Sequence, residues 1–176
     1  FEAGGGVGGT WYWNRYPGAR FDSESYSYCY SFSKELLEEW DWKEHFAPQP
    51  ETLEYLNFVA DKFDLRKDIQ FNARVKSTIY NEADSVWDLE TEDGDKARAP
   101  LLITALGALT APKIIDIPGK DTFEGEQFHT SQIPQDPDGY GSKYKTFAGM
   151  RVGVIGTGAT GVQVIQETSK TADSLT

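Results

Sequence analysis

Three glycines at the spacing Gly156-x-Gly158-x-x-Gly161 form the pattern in this chain best suited to chemistry. A short β-branched run (Val152, Val154, Ile155) leads into them, and an apolar-periodic segment follows. Strand, glycine turn and helix in that order make a cradle for a dinucleotide pyrophosphate. Gly156 permits the tight turn, and Gly158 lets the backbone approach the phosphates. Gly161 lets the new helix pack closely on the strand, so that its N-terminal N–H groups and dipole face the anion. The cofactor contacts expected from the turn are Gly156, Thr157, Gly158 and Ala159; Thr160, Gly161, Val162 and Gln163 follow in the first helical turn. The residue that reads the ribose 2′ position is expected about 20 residues beyond the glycines. That lies past Thr176, so the spacing itself assigns neither NADH nor NADPH.

The bulk properties narrow the partners. A chain of 176 residues with 39% apolar content is long enough to bury a core. A net charge of −11 leaves no basic stripe for a nucleic acid. No apolar run approaches the roughly 18–20 residues of a membrane span. The single cysteine, Cys29, excludes an internal disulfide framework and suits a reducing, cytoplasmic compartment. The chain opens on Phe1-Glu2 and closes on Ser174-Leu175-Thr176, which reads as the interior of a helical pattern; it is expected to be an internal piece of a longer protein.

Several elements must hold these residues. Phe1-Glu2 reads as a strand end ahead of a Gly-rich loop, Gly4 to Thr10. Residues 11–33 are aromatic and irregular, with a short helix around Ser23–Tyr28. Ser33 is placed as the N-cap of a helix running to Trp40. Pro50-Glu51 opens a second helix with Leu53, Leu56, Val59, Ala60 and Phe63 on its apolar face. From Ile69 the period becomes two. Residues 69–80, 85–92 and 95–104 read as an antiparallel meander, with Asp93-Gly94 as a hairpin turn. It ends in Leu101–Ala105, an apolar run suited to a fully buried strand. A linker follows, polar over 132–145.

The segment Gly8-Gly9-Thr10-Trp11-Tyr12-Trp13-Asn14-Arg15-Tyr16-Pro17-Gly18-Ala19-Arg20, with Asp22, resembles the flavin-contacting segment of the Baeyer–Villiger monooxygenases, which are class B flavoprotein monooxygenases. Leu102-Ile103-Thr104-Ala105-Leu106-Gly107 resembles the strand-and-glycine segment closing their FAD domain. Phe123-x-Gly125-x-x-x-His129 resembles the first part of the family fingerprint, just ahead of the second glycine motif. These segments occur in family order across essentially the whole chain. One position departs: the fingerprint usually carries Trp four residues after the histidine, and Ile133 stands there, before Pro134. That loss of an aromatic is expected to loosen the linker.

The resemblance implies an α/β fold of two Rossmann-like dinucleotide-binding domains, both incomplete, the FAD one carrying the three-stranded meander. Residues 1–115 would belong to the FAD-binding domain, 116–150 to the interdomain linker, and 151–176 to the start of the NADP-binding domain. It implies FAD and NADPH as cofactors, with a ketone and molecular oxygen as substrates. The product is an ester or lactone, formed through a C4a-peroxyflavin. The first FAD-unit strand with its glycines is expected upstream of Phe1. The catalytic arginine is expected downstream of Thr176, so the isolated chain should not turn over. Two other readings remain open. One is another class B monooxygenase, N- or S-oxidising; the other is a non-catalytic nucleotide-binding piece.

The same resemblance implies individual roles. Glu2 reads from position alone as a surface glutamate at a strand end; by resemblance it binds the FAD ribose hydroxyls. Gly9, Thr10 and Trp11 would line the flavin and its pyrophosphate, with Trp13 mainly core. Arg20, Tyr28 and Val75 join them as cofactor contacts. Asp22 would lie beside the flavin and direct the arginine, as the one catalytic residue of this chain; its alternative is to cap the helix begun by Ser23-Glu24. His129 would organise the linker without transferring protons, and His45 reads as loop packing. No metal site is expected.

Overall fold

The computed structural model describes residues 1–108, 111–113, 115–134 and 147–176. Residues 135–146, most of the expected polar linker, lie outside that description.

Helix α1 is the single turn Thr10–Trp13, and a 3-10 turn spans Ser25–Tyr28. Helix α2 covers Lys34–Glu39, and Ser33 caps it as expected: its hydroxyl accepts from the Leu36 N–H at 3.2 Å. Helix α3 covers Gln49–Lys62. Pro50 sits in its first turn, where a missing N–H loses nothing, with Glu51 there and Lys62 in the last turn to complement the dipole. Thr52, Tyr55, Val59 and Ala60 form its buried face. Phe63, expected on that face, is exposed at the helix end and meets Phe32 instead. Leu36, Tyr55 and Val59 make one core, packed by Trp40, Trp42, Leu56 and Phe58.

The meander forms from strands β1 (Val75–Asn81), β2 (Val86–Thr91) and β3 (Lys96–Ala99), antiparallel in the order β1-β2-β3. A register shift between Val75 and Ser77 bulges β1. Asn81 Oδ1 accepts from the Asp84 N–H in the first turn, and Gly94, at φ 91°, makes the second. Both ends of the expected meander need correction. Residues 69–74 are not a strand: their backbone is tied to Phe1–Gly4, with Glu2 N–H to Gln70 C=O at 2.9 Å and Ala73 N–H to Glu2 C=O at 2.9 Å. Leu101–Ala105 is not a buried strand either. No regular strand crosses 100–108, and Leu101 and Ile103 stand 80% and 89% exposed. A fully buried strand needs partners on both sides, and among the described residues no strand pairs with this run.

The C-terminal unit is strand, turn, helix, strand. β4 (Arg151–Val152) leads through the glycines into α4 (Ala159–Thr168), and β5 (Ser174–Leu175) returns parallel to β4. The expected helical ending at Ser174–Thr176 is therefore a strand. Thr176 N–H bonds Val152 C=O at 3.0 Å, and Val154 N–H bonds Thr176 C=O at 2.8 Å. A second core, of Tyr16, Ala19, Ile133, Phe147 and Val164, joins this unit to the aromatic N-terminal segment.

Candidate functional site

The N-terminal glycines serve the rings around them. Gly4 and Gly6 lie against the two edges of the Tyr12 ring, so close that a Cβ on Gly4 would stand 2.8 Å from it. The Tyr12 hydroxyl in turn accepts from the Gly5 N–H at 3.1 Å. Gly8, at φ 126°, is pressed by Leu53 of α3. Gly9, at φ 50°, caps α1 with open space where its Cβ would be. Gln49, the first residue of α3, donates its side-chain amide to Trp11 C=O and its backbone N–H to Ala19 C=O at 2.7 Å. One helix start thus fixes both ends of the aromatic segment.

Three of the expected site residues meet there. The Trp11 and Tyr28 rings cross edge-on at 5.9 Å between centroids. Phe21, buried, stacks on Tyr28 at 4.0 Å and meets Trp11 edge-on at 5.7 Å. Asp22 follows Phe21 and stands exposed, close enough for its charge to oppose ionisation of Tyr28 and Tyr16. Burial is the larger cause in both phenols, and both are pushed above 10.0. The 3-10 turn after Asp22 begins at Ser25 with Glu24 at its cap position, so Asp22 does not cap it. Arg20 sends its guanidinium away from this cluster, to Glu44 Oε2 and Phe46 C=O, each at 3.4 Å. Glu2 accepts from the Gly4 N–H at 2.6 Å. Val75 begins β1 two residues beyond Ala73, which is bonded to Glu2. His45 pairs with Glu24 at 3.3 Å.

The glycine turn before α4 divides its labour. Gly156 takes φ 123°, a conformation that L side chains resist. A Cβ on Gly161 would collide with the Gly156 carbonyl, so this glycine permits close packing inside the turn. Gly158 is different. It occupies the cap position of α4, has no side-chain cap, and faces open space where a Cβ would point. The first N–H groups of α4 and its positive dipole end therefore face open space at Gly158.

Sequence reasoning missed the link between these two places. The Tyr16 hydroxyl donates to Gln163 Oε1 at 2.9 Å and lies 3.2 Å from Thr160 Oγ1. Gln163 Nε2 donates to Arg20 C=O at 2.9 Å. Gly18, at φ 79°, lets the two backbones meet: a Cβ there would stand 2.7 Å from Gln163 C=O. Thr160 and Gln163 thus use their side chains to hold the aromatic segment. Tyr16-Pro17-Gly18 was the available signal, a turn set beside the segment it positions.

The fingerprint residues are held by local contacts. The Phe123 ring folds over Gly125, where a Cβ would sit 2.5 Å from it, which accounts for their spacing. His129 Nδ1 accepts from the Ser131 N–H at 3.3 Å and caps the 3-10 turn Thr130–Gln132. Ile133 is buried against Tyr16, Ala19, Phe147 and Val164, so the residue in the usual Trp position packs the junction. A cleft of about 230 Å³ lies between Tyr12, Trp13 and Arg15 on one side and Ser131–Ile133 on the other. Among the described residues no His, Cys, Asp and Glu group has metal-binding geometry, and no helix is long and apolar enough to cross a membrane.

The profile of the flavin-binding monooxygenase-like family matches residues 1–176. The chain is 50% identical over 176 residues to a cyclohexanone 1,2-monooxygenase of Acinetobacter sp., covering all of this chain and 31% of that protein. It is 47% identical over 176 residues to phenazine N-monooxygenase PhzNO1 of Lysobacter antibioticus, with the same coverage. Among solved structures, OTEMO in complex with FAD and NADP superposes with a TM-score of 0.90 at 50% identity, covering 98% of this chain and 32% of that one. The chain thus spans about a third of the length of these relatives.

Proposed function

The chain belongs to the flavin-binding monooxygenase-like family, and from that premise we propose that it is the part of a Baeyer–Villiger monooxygenase where the flavin pocket meets the nicotinamide-cofactor unit. In this reading residues 1–115 belong to an FAD-binding Rossmann-like domain, 116–150 to the linker, and 151–176 to an NADP-binding Rossmann-like domain, each dinucleotide unit being incomplete. The whole protein oxidises ketones to esters or lactones with NADPH and dioxygen. Its compartment is cytoplasmic, in keeping with the lone Cys29.

The observation that carries the reading is the Tyr16–Gln163–Arg20 link. It ties the helix behind an open pyrophosphate cradle to a backbone two residues from Asp22. FAD fits the cluster of Trp11, Tyr28 and Asp22, with Glu2, Gly9, Thr10, Arg20 and Val75 as its further contacts. NADPH is assigned to the Gly156–Gln163 turn, a reading supported by the open space at Gly158. The flavin, when bound, supplies the oxygen chemistry. The chain orients and polarises. Trp11 and Tyr28 form a wall against one side of the pocket. Asp22 supplies a fixed negative charge that directs a cation toward the reacting centre. Phe123, Gly125 and His129 shape the linker between the two cofactors.

A second reading is favoured by one finding: a relative 47% identical over this whole chain is a phenazine N-monooxygenase. Oxidation at nitrogen uses the same cofactors and a different acceptor. Full-length protein loaded with FAD, given NADPH and labelled dioxygen, separates the two. Label in an ester or lactone from a cyclic ketone supports the first reading. Label in an N-oxide from an aromatic heterocycle, with ketones untouched, supports the second. NADPH consumption that yields neither product removes both.

A further inference from the structure

Ring contacts run without a break from Trp11 to the surface. Trp11 meets Phe21 and Tyr28 at 5.7 and 5.9 Å between centroids. Phe21 meets Trp42 at 5.8 Å, Trp42 meets Tyr55 at 5.1 Å, and Tyr55 stacks on Tyr30 at 6.0 Å. The Tyr55 hydroxyl also accepts from the Tyr30 N–H at 2.8 Å. Tyr55 is fully buried, whereas Tyr30 is 42% exposed. Packing alone asks only for apolar volume, which Leu or Phe supplies without a polar atom to satisfy. Here every ring in the series except Phe21 is an indole or a phenol, the aromatic side chains that give up an electron most readily. Electron transfer falls steeply with the gap between donor and acceptor, so rings in contact exchange electrons far faster than rings kept apart.

We propose that this series is a hole-transfer path, carrying one-electron oxidising equivalents from the flavin pocket at Trp11 to Tyr30 at the surface. The path rests on the placement of FAD beside Trp11 made above. Its use is protection: a peroxide whose O–O bond breaks homolytically in an oxygen-activating pocket yields oxyl radicals, one-electron oxidants that destroy whatever lines it. Such an oxidant takes one electron from Trp11. Trp42 then reduces Trp11 across Phe21, and Tyr30 reduces Trp42 through the buried Tyr55 ring, which bridges the two and keeps its own electron and proton. Tyr30 releases its phenolic proton to water and remains as a neutral phenoxyl radical. A thiol or ascorbate from solution returns one electron and one proton to it. No bond between heavy atoms forms or breaks, and each oxidant consumes one reducing equivalent. Tyr30, 42% exposed, has water to take that proton, as does Tyr28, 37% exposed, beside Trp11.

The test maps where oxidation lands. Full-length protein with bound FAD is illuminated with blue light in air, without added reductant. The excited flavin takes one electron from its nearest donor and passes it to dioxygen. Peptide mapping by mass spectrometry then locates the oxidised side chains. In the parent, oxidation is expected to collect at Tyr30, with Trp11 spared. In Trp42→Phe, which keeps a ring in the core and removes the donor, oxidation at Tyr30 falls several-fold and rises at Trp11 and Tyr28. In Tyr30→Phe, an exposed change, it backs up onto Trp42 and the Cys29 thiol that accepts from its indole N–H at 2.9 Å. An unchanged pattern in both variants overturns the path. FAD-stripped full-length protein oxidised by azide radicals, which attack indoles directly, separates the two claims. If Tyr30 oxidation depends on Trp42 with azide radicals but not with light, the path stands and FAD does not lie beside Trp11. If it depends on Trp42 under neither treatment, the path falls.

Discussion

Asp22 stands exposed beside two phenols whose ionisation its charge opposes, and nothing about helix capping accounts for its place. Asp22→Ala in the full-length protein is expected to leave FAD bound. Flavin reduction and oxygen transfer to ketone should both slow by about 10²–10³, the usual loss on removing an electrostatic organiser. Stopped-flow kinetics checks this, and parent rates with only a lower melting temperature would make Asp22 a structural residue. Tyr16 supplies a second prediction, from its raised pKa, caused first by burial. Below pH 10 the phenol is protonated both folded and unfolded, and its contribution to stability is complete. As pH climbs past 10 the unfolded chain releases the proton first, so stability falls until the folded pKa is passed. Tyr16→Phe should therefore show a shallower decline of melting temperature above pH 10 than the parent; equal declines would mean that Tyr16 is not held in its phenol form by the fold. Asp22 and Trp11 were legible in the sequence through their motif. Tyr28 was named with them by the resemblance, but its stack on Phe21 was not legible, because Ser-Tyr-Ser-Tyr-Cys-Tyr carries no period that assigns a ring partner. The Gly4–Gly6 run reads as loop, and its use as a sleeve for the Tyr12 ring depends on a tertiary contact that no spacing announces.

At the scale of elements, the two glycines of the turn separate binding from folding. Gly158→Ala adds a methyl to open space at the α4 cap, so the chain should fold normally, while NADPH affinity falls in the full-length protein and FAD binding is spared. Gly161→Ala drives a methyl into the Gly156 carbonyl, so it should lower stability before any ligand is added. Thermal melts with and without NADPH distinguish them; loss of FAD rather than NADPH in Gly158→Ala would mean the two sites are exchanged. Ser33→Ala removes the cap of α2 and should cost about 1 kcal/mol in denaturant unfolding; no measurable change would mean that burial of Leu36 alone holds that helix. Elements with a chemical start signal were the legible ones: α2 from Ser33, α3 from Pro50, the β2–β3 hairpin from Asp93-Gly94. β5 was missed because two residues show no period, and its strand character comes from pairing with β4. Residues 69–74 alternate like a strand, yet Gln70, Asn72 and Ala73 bond to Glu2 and Gly4, while Ile69 bonds to Arg66 and Arg74 to Glu92. Leu101–Ala105 has strand composition, but pairing is a property of neighbours and not of composition.

At the scale of the whole molecule, the two units are held by a small polar clamp over an apolar seam. Gln163 accepts from Tyr16 and donates to Arg20 C=O, while Val164 beside it packs with Tyr16, Ala19, Ile133 and Phe147. The seam shields one side of those part-buried hydrogen bonds, and removing one partner leaves the others unpaired where water reaches them only in part. Gln163→Leu keeps the volume and deletes the amide, so it should destabilise by about 1–3 kcal/mol. Tyr16→Phe removes only the hydroxyl and should cost less. Because both changes act on one network, the double variant should be less destabilised than the sum of the singles, with a coupling of about 0.5–3 kcal/mol. Denaturant unfolding of the four proteins gives that number. A coupling of this size would show the aromatic segment and α4 to be one cooperative unit. Occupancy of the pyrophosphate cradle would then be felt at Arg20 and, two residues on, at Asp22. Strict additivity would mean that the units merely abut, and that Asp22 takes its position from α3 and the Phe21–Tyr28 stack alone.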